Sequence, residues 1–263
     1  VKAFTFNQRD IDILKAFLIF PYLTAEQVCS LFYSPNSLKY VMARLLWLTE
    51  ERYLNRIEQP LQPYWYSLAL RGTRTIGDRP VFYPPQKVHI MHHRHFLMTN
   101  EVLISAIRLL KVRDDITLHK ILHDFSLKHM LKGVVPDGYV ALSTDGERVP
   151  IAFEVHIDTK EQKFREKIRG IMQTVSGEFR EKFPVVDPKD NKLFLTWSFL
   201  TPIERQVDEM VAWTESELTK LGKVKEADLF RFAYVPEKDI DPLELFTKEI
   251  HCVPFTKMYT FLI

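Results

Sequence analysis

The sequence predicts an α/β chain, α+β overall, in two parts: three short helices with a two-stranded wing, then a mixed sheet with helices packed on it. Three observations carry this. Apolar residues recur at helical spacing three times before residue 50, and two aromatic-rich runs at strand spacing follow around a proline-bounded loop. In the second part, runs with a period of two alternate with longer amphipathic stretches. Between Gly72 and Pro85 the chain is rich in Gly, Pro, Thr and Arg and has no sustained period, which places the boundary there and gives domains of residues 1–80 and 86–263.

With 263 residues, 46% of them apolar and 13% aromatic, the chain has ample material for real cores. Lys plus Arg outnumber Asp plus Glu by only 36 to 34, but unevenly. Residues 1–132 hold 18 basic against 11 acidic side chains, and the remainder 18 against 23. Seven of the nine histidines also lie in the first half. A polyanionic partner, if the chain has one, is therefore expected at that half. Cys29 and Cys252 provide neither a disulfide framework nor a zinc pattern, and Cys29 falls in helix core. No apolar run approaches the roughly 20 residues needed to cross a bilayer, and the start has no secretory pattern, so a cytoplasmic location is expected.

Asn7 to Asp10 open a helix with Ile11, Ile13, Leu14, Phe17 and Leu18 at helical spacing, and Pro21 stops it. Thr24 caps a second helix with Gln27 three residues on, and Val28, Leu31 and Phe32 form its stripe. A third helix runs from about Ser37 to Glu50, with Leu38, Val41, Met42, Leu45 and Leu46 predicted to be buried. Residues 53–57 and 64–68 read as strands around the loop Gln59 to Pro63. Three helices followed by a two-stranded wing form a winged helix-turn-helix. In that arrangement the third helix enters the major groove and the wing touches backbone. Asn36, Ser37, Lys39, Tyr40 and Arg44 are the base-reading candidates, and Arg56, Arg71, Arg74 and Arg79 the phosphate candidates.

His89, His92, His93 and His95 crowd into seven residues, but no Glu stands between them in a zinc-protease pattern and no Cys completes a zinc set. They read as partly buried histidines before or within a helix over Thr99 to Lys111, and His119, His123 and His129 as a second helical patch. The stretch Pro136 to Thr159 holds two strands about the turn Asp145-Gly146. A period of two puts Ile151, Phe153, Val155 and Ile157 on one face and Ala152, Glu154 and His156 on the other. A long helix follows to about Glu181 with the stripe Phe164, Ile168, Ile171, Val175 and Phe179; its charges, Lys167 among them, read as a solvated face. Strand 193–199, a helix capped by Thr201 and reaching Leu221, and strand 230–234 complete the pattern.

Asp137, Glu154 and His156 are the candidate catalytic set, with Gln162 or Glu166 of the next helix as additions. Asp137 and Glu154 are the metal-ligating candidates, since two carboxylates suit Mg²⁺ or Mn²⁺ against a phosphodiester. The structural alternative is a buried hydrogen-bonded network that sets the sheet.

The chain resembles the replication-relaxation family of plasmids and other mobile elements over most of residues 7–180. The resemblance rests on Asp10-Ile11-Asp12-Ile13-Leu14, on Leu23 to Val28, on Tyr64 to Leu68 ahead of Arg71-Gly72, on the His-containing segment His92 to Ile107, and on Pro136-Asp137 followed by Phe153-Glu154-Val155-His156. It implies a second domain of restriction-endonuclease-like fold, in which Asp137 and Glu154 match the two carboxylates and His156 stands where a lysine is usual. It also implies double-stranded DNA as partner, a role in plasmid replication, DNA relaxation or conjugative transfer, and a relaxase or replication initiator alongside. A homodimer is expected because winged helices often pair on near-palindromic sites. The sequence alone favours sequence-specific duplex DNA binding with a non-catalytic second domain and no cofactor; the alternative is a nuclease or nickase needing Mg²⁺ or Mn²⁺.

Overall fold

Asn7 begins helix α1 (Gln8–Ala16) with a reciprocal cap: its side chain accepts the Asp10 N–H at 3.3 Å, and Asp10 Oδ2 accepts the Asn7 N–H at 2.7 Å. Thr24 and Gln27 do the same for α2 (Ala25–Phe32), at 3.3 and 3.2 Å, as their spacing predicts. A 3₁₀ turn, Pro35–Ser37, leads into α3 (Leu38–Glu50). Ile13, Leu14, Phe17, Val28, Val41, Leu45 and Leu48 are all fully buried where the three helices converge. β1 (Leu23–Thr24), β3 (Trp65–Leu68) and β2 (Leu54–Ile57) form an antiparallel sheet in the order β1-β3-β2, with Trp65 wholly buried in its middle strand. The strands turn into α4 (Leu70–Thr75), where a Cβ on Gly72 would lie 2.3 Å from the Tyr53 carbonyl oxygen, so only glycine fits. This is the winged helix that the spacing predicts. One face differs: Met42 and Leu46 are 46% and 40% exposed, because Val41, Leu45 and Leu48 suffice to seat α3.

The computed structural model describes residues 4–58, 63–77, 90–144, 147–157, 159–177, 179, 182–183, 195–237, 240–247, 249–252 and 258–260. The tip of the wing loop, Arg79 and the turn Asp145-Gly146 lie outside them. The chain forms two compact units, Val1–His93 and Arg94–Ile263.

The second unit opens with most of α5 (Ile90–Leu109) and continues through β4 (Ile116–His123), α6 (Asp124–Lys128), β5 (Gly138–Thr144), β6 (Glu147–Val155), α7 (Glu161–Ser176), β7 (Thr196–Thr201), α8 (Glu204–Leu221), a 3₁₀ turn, β8 (Phe230–Tyr234), α9 (Pro242–Thr247), β9 (Glu249–Cys252) and β10 (Met258–Thr260). The described strands form one mixed sheet in the order β10-β9-β8-β7-β6-β5-β4. β4, β5 and β6 are an antiparallel meander; β7 and β8 then add in parallel beyond β6, each after a helix. A helix, a three-stranded meander, a crossover helix and a parallel strand follow one another in the order expected of a restriction-endonuclease-like core.

Residues 151–156 are buried without a break, as befits a central strand covered on both faces. Ala152 joins Phe164, Ile168, Trp197 and Phe199 in the core beneath α7 and α8. Phe153 points the other way, packing so close to Gly138 that a Cβ there would lie 2.3 Å from the ring, with Leu103 of α5 next to it. Arg165 and Arg169 of α7 both reach Glu217 of α8, at 3.4 and 3.0 Å, which fixes the two helices relative to each other. His119 and His123, expected in a helical patch with His129, instead lie on the edge strand β4, which has a register shift between Leu118 and Lys120. Pairing to β5 overrides a pattern that fits either period.

Candidate active site

The register of β5 on β6 decides the site. Gly138 pairs with Phe153, and the Asp137 N–H donates to the Phe153 carbonyl at 3.0 Å, so Asp137 at the entry to β5 lies beside Glu154 near the end of β6. Asp137 Oδ2 accepts from the Val155 N–H at 2.8 Å and from His95 Nε2–H of α5 at 3.0 Å. Glu154 is completely buried. Its Oε2 accepts from the ammonium of Lys167, which α7 lowers onto the end of the strand. Its Oε1 is buried with no donor among the described residues, on a carboxyl that interacts directly with Asp137.

Four ionisable groups therefore share one spot, and their surroundings drive them apart. Burial opposes the Asp137 charge, but His95, Lys167 and the Val155 N–H outweigh it and hold that carboxyl far below its ordinary range. Burial pushes Glu154 well above the usual carboxylate value; Lys167 opposes this and Asp137 reinforces it. Desolvation would discharge Lys167, yet the two carboxyls raise it. His95 is raised likewise, the Asp137 charge outweighing burial. The spot opens to solvent along one side: the side chains of His95, Lys167 and Asp137 are 38%, 29% and 15% exposed.

The donorless Glu154 Oε1 beside the Asp137 carboxylate, next to an ammonium and at the end of a strand, is oxygen-rich chemistry of the kind a hard divalent cation takes. The buried, donorless Oε1 fits that use, because an acceptor facing another acceptor needs either a proton or a cation between them. Among the described residues no group of three or more His, Cys, Asp or Glu is placed to hold a metal ion.

His156 requires a correction. It stands just past β6, donates its backbone N–H to the Leu200 carbonyl at 2.7 Å, and lies between the rings of Phe164 and Phe199 at 5.4 and 5.3 Å. Thr159 Oγ1 is 2.5 Å from its Nδ1, while Nε2 is buried without a partner among the described residues. Burial, aided by Lys167, lowers its pKa to about 3, and the neutral ring packs against Phe164 and Phe199 without joining the hydrogen bonds of Asp137 and Glu154 among the described residues. The predicted additions from α7 also differ: Gln162 Nε2 donates to Glu166 Oε1 at 3.3 Å on the exposed side. The helix delivers Lys167 instead.

Lys167 carried a usable signal. It is three residues after Phe164 and one before Ile168, so it flanks the buried stripe rather than the solvated face. No sequence period links His95 to Asp137, 42 residues away.

In the winged helix, Asn36, Lys39 and Tyr40 are exposed and Ser37 is half-buried, its Oγ 2.9 Å from Ser34 Oγ. Arg44 is the second correction. It is 2% exposed and forms a two-pronged ion pair with Asp10, which is 0% exposed, and it donates to the Thr5 carbonyl at 2.6 Å. Its guanidinium also stacks over Phe4 and Trp47 at 4.8 and 4.6 Å, so it locks α1 to α3 and is not available to a base. Arg56 pairs with Glu58 at 2.6 Å and lies over Tyr64; Arg71 pairs with Glu51 at 3.2 Å and lies over Tyr53; Arg74 is exposed.

No protein-family model and no curated protein matches the chain. Among solved structures, the restriction endonuclease FokI bound to DNA matches 82% of this chain and 45% of its own length, at 11% identity and a TM-score of 0.25. The chain thus spans less than half of that protein. A likeness so slight assigns no activity. No helix among the described residues is long and apolar enough to cross a membrane.

Proposed function

We propose that this chain acts on double-stranded DNA and that its second unit is a divalent-metal-dependent phosphodiesterase, cutting or nicking the duplex. The observation that carries this reading is Lys167 seated on Glu154 beside Asp137, with Glu154 Oε1 given no donor among the described residues. A lysine two residues after Glu154 is missing from the sequence; α7 supplies an ammonium at the same carboxylate from another element.

Asp137 and Glu154 would hold Mg²⁺ or Mn²⁺, which supplies a lowered pKa for bound water and neutralises charge developing on the phosphate. Lys167, held on the other oxygen of Glu154, would add positive charge beside the attacked phosphate, in a spot only partly open to water. His95 fixes the orientation of Asp137 through its 3.0 Å hydrogen bond. For duplex contacts, the exposed Asn36, Tyr40, Arg56 and Arg74 of the winged helix are the groups of suitable chemistry. The replication-relaxation resemblance supports a setting in plasmid or mobile-element replication or transfer, beside a relaxase or initiator.

Supercoiled plasmid incubated with the full chain and Mg²⁺ or Mn²⁺, against EDTA, tests the reading. Metal-dependent nicking that vanishes in Glu154→Ala supports it. Intact plasmid with every metal overturns it and returns the second unit to a structural role.

A further inference from the structure

We infer that α3 is the face through which two copies of this chain pair, antiparallel about a two-fold axis. This goes beyond the cleavage reading and does not depend on it. On α3, Lys39, Met42, Ala43, Leu46 and Glu50 are all exposed. At 3.6 residues per turn they form one stripe about 100° wide and about 16 Å long. Its middle is Met42, Ala43 and Leu46, and its ends are a cation and an anion. Among the described residues neither Lys39 nor Glu50 forms an ion pair in the structure.

A second copy fits this stripe better than a DNA groove does. Base edges are read chiefly by hydrogen-bonding side chains, and Met42, Ala43 and Leu46 offer only contact to a thymine methyl, while Glu50 repels phosphate. Under an antiparallel two-fold, the stripe is complementary to itself. Lys39 meets the partner's Glu50, Ala43 meets the partner's Leu46, and the two reciprocal contacts follow by symmetry. Ala43 is small enough to receive the larger side chain, so the helices approach closely. Lys39 then pairs across the axis instead of with phosphate. Asn36 and Tyr40, and Arg56 on the wing, lie off the stripe and stay available to a duplex.

One three-turn helix pair buries less than the roughly 1,200 Å² of a standard interface, so association in the micromolar range is expected. Sedimentation of the full chain from about 1 to 100 μM should show a monomer–dimer equilibrium. Leu46→Glu, at an exposed position, should remove the dimer at about 100 μM without changing the far-ultraviolet spectrum. Lys39→Glu and Glu50→Lys should each weaken it several-fold, and the two together in one chain should restore it, because each swapped end then faces the partner's other swapped end. Duplex binding is followed in the same variants. A chain that stays monomeric throughout overturns the inference, as does a dimer indifferent to Leu46→Glu. A Leu46→Glu chain that loses duplex binding while remaining dimeric assigns the face to DNA and equally overturns it. Failure of the double swap to restore pairing rules out the antiparallel register.

Discussion

Arg44→Met should unfold the winged helix rather than blunt its reading of DNA. The substitution keeps the length of the side chain but removes both prongs on Asp10, the donor to Thr5 and the stacking on Phe4 and Trp47. Asp10, 0% exposed, is left with the Asn7 N–H at 2.7 Å as its remaining side-chain partner among the described residues. Breaking a buried pair by removing one partner costs about 3–5 kcal/mol, because the surviving charge is neither solvated nor paired. On a unit of this size each kcal/mol lowers the melting temperature by roughly 4–8 °C, so the drop should exceed about 10 °C. Removing both charges, Asp10→Leu with Arg44→Met, should recover most of that and leave about 1 kcal/mol for the lost capping contact. Two units need not unfold together, so the measurement is hydrogen exchange of α1 and α3 amides in the full chain. If Arg44→Met leaves that exchange within about 1 kcal/mol of the parent and abolishes binding to a preferred duplex, the ion-pair account fails and Arg44 is a base reader after all.

Lys167→Met should lower nicking by roughly 10²–10³-fold with the fold intact, and activity at the parent level would remove Lys167 from the chemistry. Gly138→Ala should destabilise the second unit by about 1–3 kcal/mol through overlap with Phe153, read by denaturant unfolding; no change would mean that β5 yields there. His93 is buried against the edge of Trp65 at 4.4 Å, and neither ring nitrogen has a hydrogen-bond partner among the described residues. Burial lowers its pKa, so the folded state binds fewer protons than the unfolded chain and stability falls as pH drops below about 6.5. His93→Phe should flatten that acid loss in exchange measured on β3, and an unchanged slope would point to another group.

The capping boxes at Asn7 and Thr24, the stripes of α1, α2 and α7, and the alternation that puts Glu154 opposite Phe153 are all properties of neighbours along the chain. Helix and strand periods and caps are set within a few residues, so these were legible in the sequence alone. Even the exposed ends of α3 follow from its period. What tertiary structure decided is which distant groups meet. Lys167 reaches Glu154 because the pins on Glu217 and the stripe under Phe164 fix the rotation of α7 over β6. His95 reaches Asp137 because α5 covers the other face of that strand. Arg44 turns inward because Asp10, 34 residues earlier, is buried and must be neutralised. Each depends on the desolvation and charge of groups far apart in the chain, which no local pattern records.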